Sequence, residues 1–154
     1  MIIVSVSDQL LHHRRNSGVW YTYPVSTAAN GTGNAEGSFQ TPLGNHRIAE
    51  KIGDDLPLFT AFKARKPFCI YDPEIDDPKK DWILTRILWL EGIETGKNNR
   101  GKVDTKSRYI YIHGTHDETA LGTPVSHGCI RMNNLDMLEL FEHTFPGERV
   151  KIKT

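Results

Sequence analysis

Helical periodicity occurs in one place in this chain, after Cys129; elsewhere apolar residues alternate at period two in short runs divided by turn chemistry. The alternation predicts strands over 2–6, 10–14 and 19–25, with Asp8-Gln9 and Asn16-Ser17-Gly18 as hairpin connections. Residues 46–52, 58–62 and 68–71 have strand-like composition, and the strongly apolar run 83–90 reads as a central strand. Residues 109–113 and 148–153 alternate again. After the cysteine, Asn133 or Asn134 can cap a helix with Asp136 in its first turn. Its apolar face is either Leu135, Leu138 and Phe141 or Met137 and Leu140, and Pro146-Gly147 ends it. The expected fold is mainly β, a sandwich or partly closed barrel with one substantial helix.

A chain of 154 residues is long enough to bury one core, so a single domain over 1–154 is expected. Lysine plus arginine equals aspartate plus glutamate, 19 each, so no global field favours nucleic acid. No apolar run is long enough for a membrane-spanning helix. Residues 1–8 lack a basic segment and a cleavage site and alternate like a strand, which reads as no signal peptide. That suggests a cytoplasmic protein, or a periplasmic one if an export signal has been removed. Two stretches resist the pattern. Residues 26–44 carry Gly31, Gly33, Gly37 and Gly44 and form a long loop, a plain connector or a wall of a site. Residues 92–107 hold Lys97 and Arg100 but do not match a P-loop, so a solvated loop is expected.

The chemistry collects in residues 109–133. Period two delivers His113 at a strand's C-terminal end on the face of Tyr109 and Tyr111. A polar loop then returns to Ser126-His127-Gly128-Cys129. A cysteine attacks carbonyls as the thiolate and needs a base in hydrogen-bond reach; His113 and His127 both qualify. Gly128 removes a side chain where a carbonyl must approach, and the N–H groups of Gly128 and Cys129 could converge as an oxyanion hole. Cys69, in Phe68-Cys69-Ile70-Tyr71 with no histidine nearby, reads as a core residue.

His113-Gly114-Thr115, followed by Pro124-Val125-Ser126-His127-Gly128-Cys129-Ile130-Arg131-Met132, resembles the active-site motif of the L,D-transpeptidase catalytic domain, the YkuD-like family. Thr41-Pro42-Leu43-Gly44 is similar to that family's second landmark, a turn leading into a strand, and the two together span nearly the whole chain. The resemblance favours the wall reading of residues 26–44. It implies Cys129 as nucleophile, His113 as general base, the Gly114 carbonyl as the group orienting the imidazole, and no cofactor or metal. His127 supports the thiolate or the loop. Ser126, Thr115, Tyr111 and Arg131 are candidate substrate contacts; Arg131 either holds a substrate carboxylate or pairs with an acidic residue on the following helix, and Tyr111 either lines the pocket or packs. The family carries Asn in many members where this chain has Arg131.

The implied partner is a peptidoglycan stem tetrapeptide or soluble muropeptide. Attack on the diamino acid carbonyl expels D-alanine and leaves a thioester. Water as acceptor makes the chain an L,D-carboxypeptidase of murein recycling, the favoured branch; an amine acceptor makes it a cross-linking transpeptidase. A covalent carbapenem adduct is also implied. Two readings of other classes stand beside these. His113, His116, His127 and Cys129 offer donors for zinc, and a binding module can keep such a fold without chemistry.

Overall fold

The computed structural model describes residues 1–154. The chain forms ten strands: β1 (Ile2–Ser5), β2 (Leu10–Arg14), β3 (Trp20–Ser26), β4 (Gly44–Ile52), β5 (Thr60–Lys63), β6 (Lys66–Ile70), β7 (Leu84–Gly92), β8 (Tyr111–Gly114), β9 (Ile130–Met132) and β10 (Arg149–Lys153). Helix α1 (Asn134–Glu142) lies between β9 and β10. Hydrogen bonding runs β4-β10-β1-β2-β3-β9-β8-β7, and β7 pairs with β4, closing an eight-stranded barrel. Closure removes the sheet edges that a sandwich would expose.

Most pairings are antiparallel; β1 with β10 and β8 with β9 are parallel. Alternation sorts the side chains. Ile2, Val4, Val150 and Ile152 point inward with Leu11, Val25, Ile48, Leu88, Leu90, Ile112 and Ile130, while Arg149, Lys151 and Lys153 point out. Each fully buried Ile or Leu contributes about 1.5–3 kcal/mol of transfer free energy. β7 is apolar almost throughout because both its faces are covered. Leu88 and Leu90 fill the barrel, and Ile87 packs outside it with Phe62 and Tyr111. The β5–β6 hairpin forms that outer cover and joins β7 through the single pair Ala61↔Leu84.

Asn133 caps α1, its side chain accepting from the N–H groups of Leu135 (2.9 Å) and Asp136 (3.2 Å). The buried face is Met137, Leu140 and Phe141, continuous with the barrel core. Leu135 is 66% exposed, so the alternative face built on it is not the one used. At the other end the Lys51 ammonium donates to the carbonyls of Phe141 (2.6 Å) and Thr144 (2.7 Å), where a cation complements the helix C-terminus.

Three local expectations change. Residues 92–107 are not simply solvated: Asn98 is fully buried, and its amide donates to Leu43 and Asn45 carbonyls while accepting from Glu94 N–H. Cys69 lies half-buried on the outer hairpin, against Ala61, Trp82 and Leu84, and not in the barrel core. Strand β9 is three residues long, too short for periodicity to reveal, yet it completes the ring between β3 and β8.

Candidate active site

The parallel β8–β9 pair builds the site. Its register sets Ile112 beside Ile130, His113 beside Arg131 and Gly114 beside Met132. Neighbours on adjacent strands share a face, so Ile112, Ile130 and Met132 enter the core, and His113 and Arg131 face outward together. Continuing one step back, Tyr111 and Cys129 occupy that same outer face: Tyr111 N–H points at Cys129 Sγ (3.3 Å). Cys129 and His113 are thus diagonal neighbours across two strands.

Cys129 is held from behind. Gly128 has φ 137°, a conformation open to glycine alone, and its N–H donates to Ser126 Oγ (3.2 Å). Ser126 Oγ donates to Cys129 O (2.6 Å), and Thr41 Oγ1 donates to Gly128 O (2.9 Å). The Thr-Pro-x-Gly turn and the Ser-His-Gly-Cys turn are therefore joined directly. Since Gly128 N–H is spent on Ser126, the paired oxyanion hole expected from Gly128 and Cys129 reduces to the Cys129 N–H. The thiol donates to Tyr109 O (3.4 Å). Burial pushes its pKa up to about 12, against the opposing pull of the Tyr111 N–H, Arg131 and Arg108. The resting group is a thiol.

His113 is 1% exposed, and its Nδ1 lies 2.7 Å from Gly114 O. A carbonyl only accepts, so the proton sits on Nδ1 and the Nε2 lone pair is free. Burial holds the imidazole below its ordinary pKa, while Asp81 and the Gly114 carbonyl oppose that depression. Asp81, just before β7, was not among the residues singled out from the sequence. Its carboxylate accepts from Arg131 Nη2 (2.7 Å) and lies 3.5 Å from His127 Nδ1. Burial disfavours its charge, but His113, Arg131 and His127 together hold its pKa below the ordinary carboxylate value. Arg131 therefore pairs with an acidic residue of the β7 approach, not of the following helix.

The thiol opens onto a cleft of about 550 Å3 lined by Cys129, His127, Ser126 and Tyr111, by Asp81 and Ile83, and by Glu36, Gly37 and Phe39 of the 26–44 loop. That loop is a wall of the site. Arg108 fastens it by donating to the carbonyls of Gly33 (3.3 Å) and Gln40 (2.6 Å) and to Ser38 Oγ (3.3 Å). Tyr111 both lines the cleft and packs on Trp89. Thr115 is fully buried, its hydroxyl accepting from Asp117 N–H (3.1 Å) and its own N–H donating to Met132 O (3.0 Å), so it braces the turn away from the cleft. Asp81, Arg108 and Arg65 escaped a reading of the sequence because each sits outside the motif in the chain; only an acidic or basic residue flanking an apolar strand was visible there.

The donors proposed for zinc do not converge. His113 Nδ1 turns to Gly114 O, His116 Nε2 to Pro78 O (2.7 Å), and His127 is 64% exposed; no group of three or more His, Cys, Asp or Glu has metal-binding geometry.

The fold is shared with solved L,D-transpeptidases. The chain superposes over 99% of its length, with TM-score 0.58 and 19% identity, on L,D-transpeptidase 3 from Mycobacterium tuberculosis in complex with a faropenem-derived adduct, covering 59% of that chain. It superposes on the Enterococcus faecium L,D-transpeptidase over 99% of its length with TM-score 0.59 and 15% identity, covering 48%. The YkuD model, an L,D-transpeptidase catalytic domain, matches residues 1–152, and the chain belongs to that family. In sequence it is 51% identical over 41 residues (27% of this chain) to the L,D-transpeptidase YkuD of Bacillus licheniformis, and 47% identical over 45 residues (29%) to the L,D-transpeptidase ErfK/SrfK of Salmonella typhimurium. Those matches span 25% and 15% of the relatives' own lengths.

Proposed function

We propose that the chain is a cysteine acyltransferase that cleaves the bond between the diamino acid and D-alanine of peptidoglycan stem tetrapeptides, with water as the favoured acceptor. The observation that carries this reading is His113: its Nδ1 proton is engaged by Gly114 O, leaving Nε2 free on the face that Cys129 shares. Nε2 takes the Sγ proton as sulfur bonds to the carbonyl carbon, and the Cys129 N–H meets the developing oxyanion. Collapse breaks the C–N bond, the leaving amine takes the proton from Nε2, and a thioester remains. In the second half His113 takes a proton from water, hydroxide adds to the thioester, and the thiolate leaves and is reprotonated. Until attack, thiol and imidazole are both neutral, in keeping with a thiol pKa of about 12.

A cleft of about 550 Å3 has the size for one bound peptide, which supports a small second substrate. The reading extends to soluble tetrapeptides of murein recycling in the cytoplasm. If an amine of a second stem resolves the thioester instead, the chain is a cross-linking transpeptidase. Mass spectrometry of disaccharide-tetrapeptide incubated with the protein, with Cys129→Ala as control, separates these. A product shorter by one alanine supports hydrolysis, dimers support transfer, and no change with either protein overturns the reading. Imipenem or faropenem, named with the solved relatives, should add one acyl adduct at Cys129.

A further inference from the structure

The turn of the β5–β6 hairpin is two residues long, Ala64-Arg65, between the paired residues Lys63 and Lys66. Both turn residues have positive φ, 48° and 64°, the conformation that Asn-Gly adopts with least strain. Ala-Arg is a poor choice for the turn itself, so the arginine answers to something beyond it. Its guanidinium lies over the rings of Trp89 (4.7 Å) and Tyr109 (4.9 Å), and Nη1 donates to Tyr111 OH (3.1 Å). The side chain is thereby aimed across the outer barrel face into the cleft that Cys129 opens on.

The other two arginines of the site are already occupied: Arg108 by the 26–44 loop and Arg131 by Asp81. Arg65 has one donor atom engaged, on a phenol, and no carboxylate partner; Glu50 is the acidic group whose field reaches it. Tyr111 fixes the spacing, because its N–H meets Cys129 Sγ and its hydroxyl meets Arg65. Arg65 and the thiol thus line one cleft, linked through the two ends of the same tyrosine. A peptide attacked at one carbonyl carries the next carboxylate one residue, about 3.8 Å between consecutive Cα atoms, further along that cleft, where a guanidinium can pair with it.

We propose that Arg65 is a specificity-determining residue that binds the terminal carboxylate of the departing residue, making the enzyme exo-acting. The proposal rests on the acyl-transfer reading above. A guanidinium held over two rings is pre-organised for a carboxylate, and a chain extended past that residue would place a neutral amide there instead. The same pairing excludes pentapeptide stems, whose carboxylate lies one residue too far.

The test compares three tetrapeptides, with all carboxylates free, with the terminal carboxylate amidated, and with the diamino acid side-chain carboxylate amidated. They are assayed for alanine or alaninamide release by the wild-type protein and Arg65→Gln, and for binding to Cys129→Ala and Cys129→Ala/Arg65→Gln by calorimetry. The proposal expects terminal amidation to cost about 10- to 100-fold in kcat/KM and in affinity for proteins carrying Arg65, and the penalty to vanish in the uncharged Arg65→Gln variant. Arg65→Lys should restore part of it. A penalty that survives Arg65→Gln, or an Arg65-dependent penalty for side-chain amidation instead, overturns the proposal. If no peptide is cleaved yet Cys129→Ala still shows the Arg65-dependent preference in binding, the acyl-transfer reading fails and the carboxylate site stands. If no peptide binds, the site fails too.

Discussion

The Asp81 carboxylate bridges two basic groups of the signature loop, 2.7 Å from Arg131 Nη2 and 3.5 Å from His127 Nδ1, while its field reaches His113 and Cys129. It raises the pKa of both members of the thiol–imidazole pair, and the two effects oppose each other in catalysis. Favouring imidazolium helps proton transfer; disfavouring thiolate keeps the resting thiol neutral.

Asp81→Asn should therefore move two readouts in opposite directions. Alkylation of free Cys129 by iodoacetamide near pH 9 becomes faster, because the thiol pKa falls from about 12. Turnover drops roughly tenfold, because His113 becomes a weaker base. Parallel alkylation and turnover assays check this; a rise or fall in both together contradicts the assignment.

Thr41→Val tests the link between the two landmark turns. Thr41 Oγ1 donates to Gly128 O and accepts from Ala28 N–H (3.0 Å) in a fully buried position. Valine leaves both backbone groups without partners at similar volume, an expected loss of about 2 kcal/mol in urea denaturation. Turnover per folded molecule should fall as well, since Gly128 precedes Cys129.

Gly114→Ala should be harsher, although its φ is ordinary. A Cβ there would stand 2.8 Å from Leu84 O and closer still to Asn134 Oδ1, neither of which is free to retreat. Leu84 O belongs to the neighbouring strand, and Asn134 is tied to Thr85 Oγ1 (2.6 Å) and Thr115 O (2.7 Å). We expect a destabilisation of about 3 kcal/mol by thermal melting, with loss of the carbonyl alignment that sets the His113 tautomer.

Acid should weaken the fold through His46. It is fully buried between Gly44 O (3.0 Å) and Thr105 Oγ1 (3.0 Å), and burial lowers its pKa from 6.5 to about 4. The unfolded chain takes up this proton first. The contribution is thus complete above pH 6.5 and lost as pH falls towards 4, amounting to about 2–3 kcal/mol between pH 7.5 and 4.5. Denaturant midpoints for the wild type and His46→Gln at those two pH values check it. The pH-dependent difference should shrink in the variant and persist in part through His113, whose pKa burial also lowers.

Nine of the ten strands lie, to within a few residues, where alternation, strand-like composition or the apolar run 83–90 placed them, because what a barrel wall buries is written residue by residue. Strand β9 was not legible: three residues cannot display a period, and Ile130, Arg131 and Met132 form a strand because β3 and β8 flank them. The same limit applies to the site. The motif around Cys129 and the strand-end His113 are local and readable. Asp81 and Arg65 are ordinary charged residues in the sequence, and they acquire meaning from what lies beside them.

By itself the sequence determined the mainly β class, the single capped helix, the thiol and imidazole of the motif and the resemblance that they carry, since all depend on neighbours in the chain. The tertiary structure alone decided that the sheet closes as a barrel and that a parallel β8–β9 register puts Cys129 and His113 on one face. It also decided which acidic residue holds Arg131 and which arginine remains open to the cleft. Those are relations between residues far apart in the chain, such as His113 with Cys129, 16 positions away, and Ile2 with Val150, 148 positions away. The free energy of such pairs depends on distance and burial in space, which no local pattern encodes.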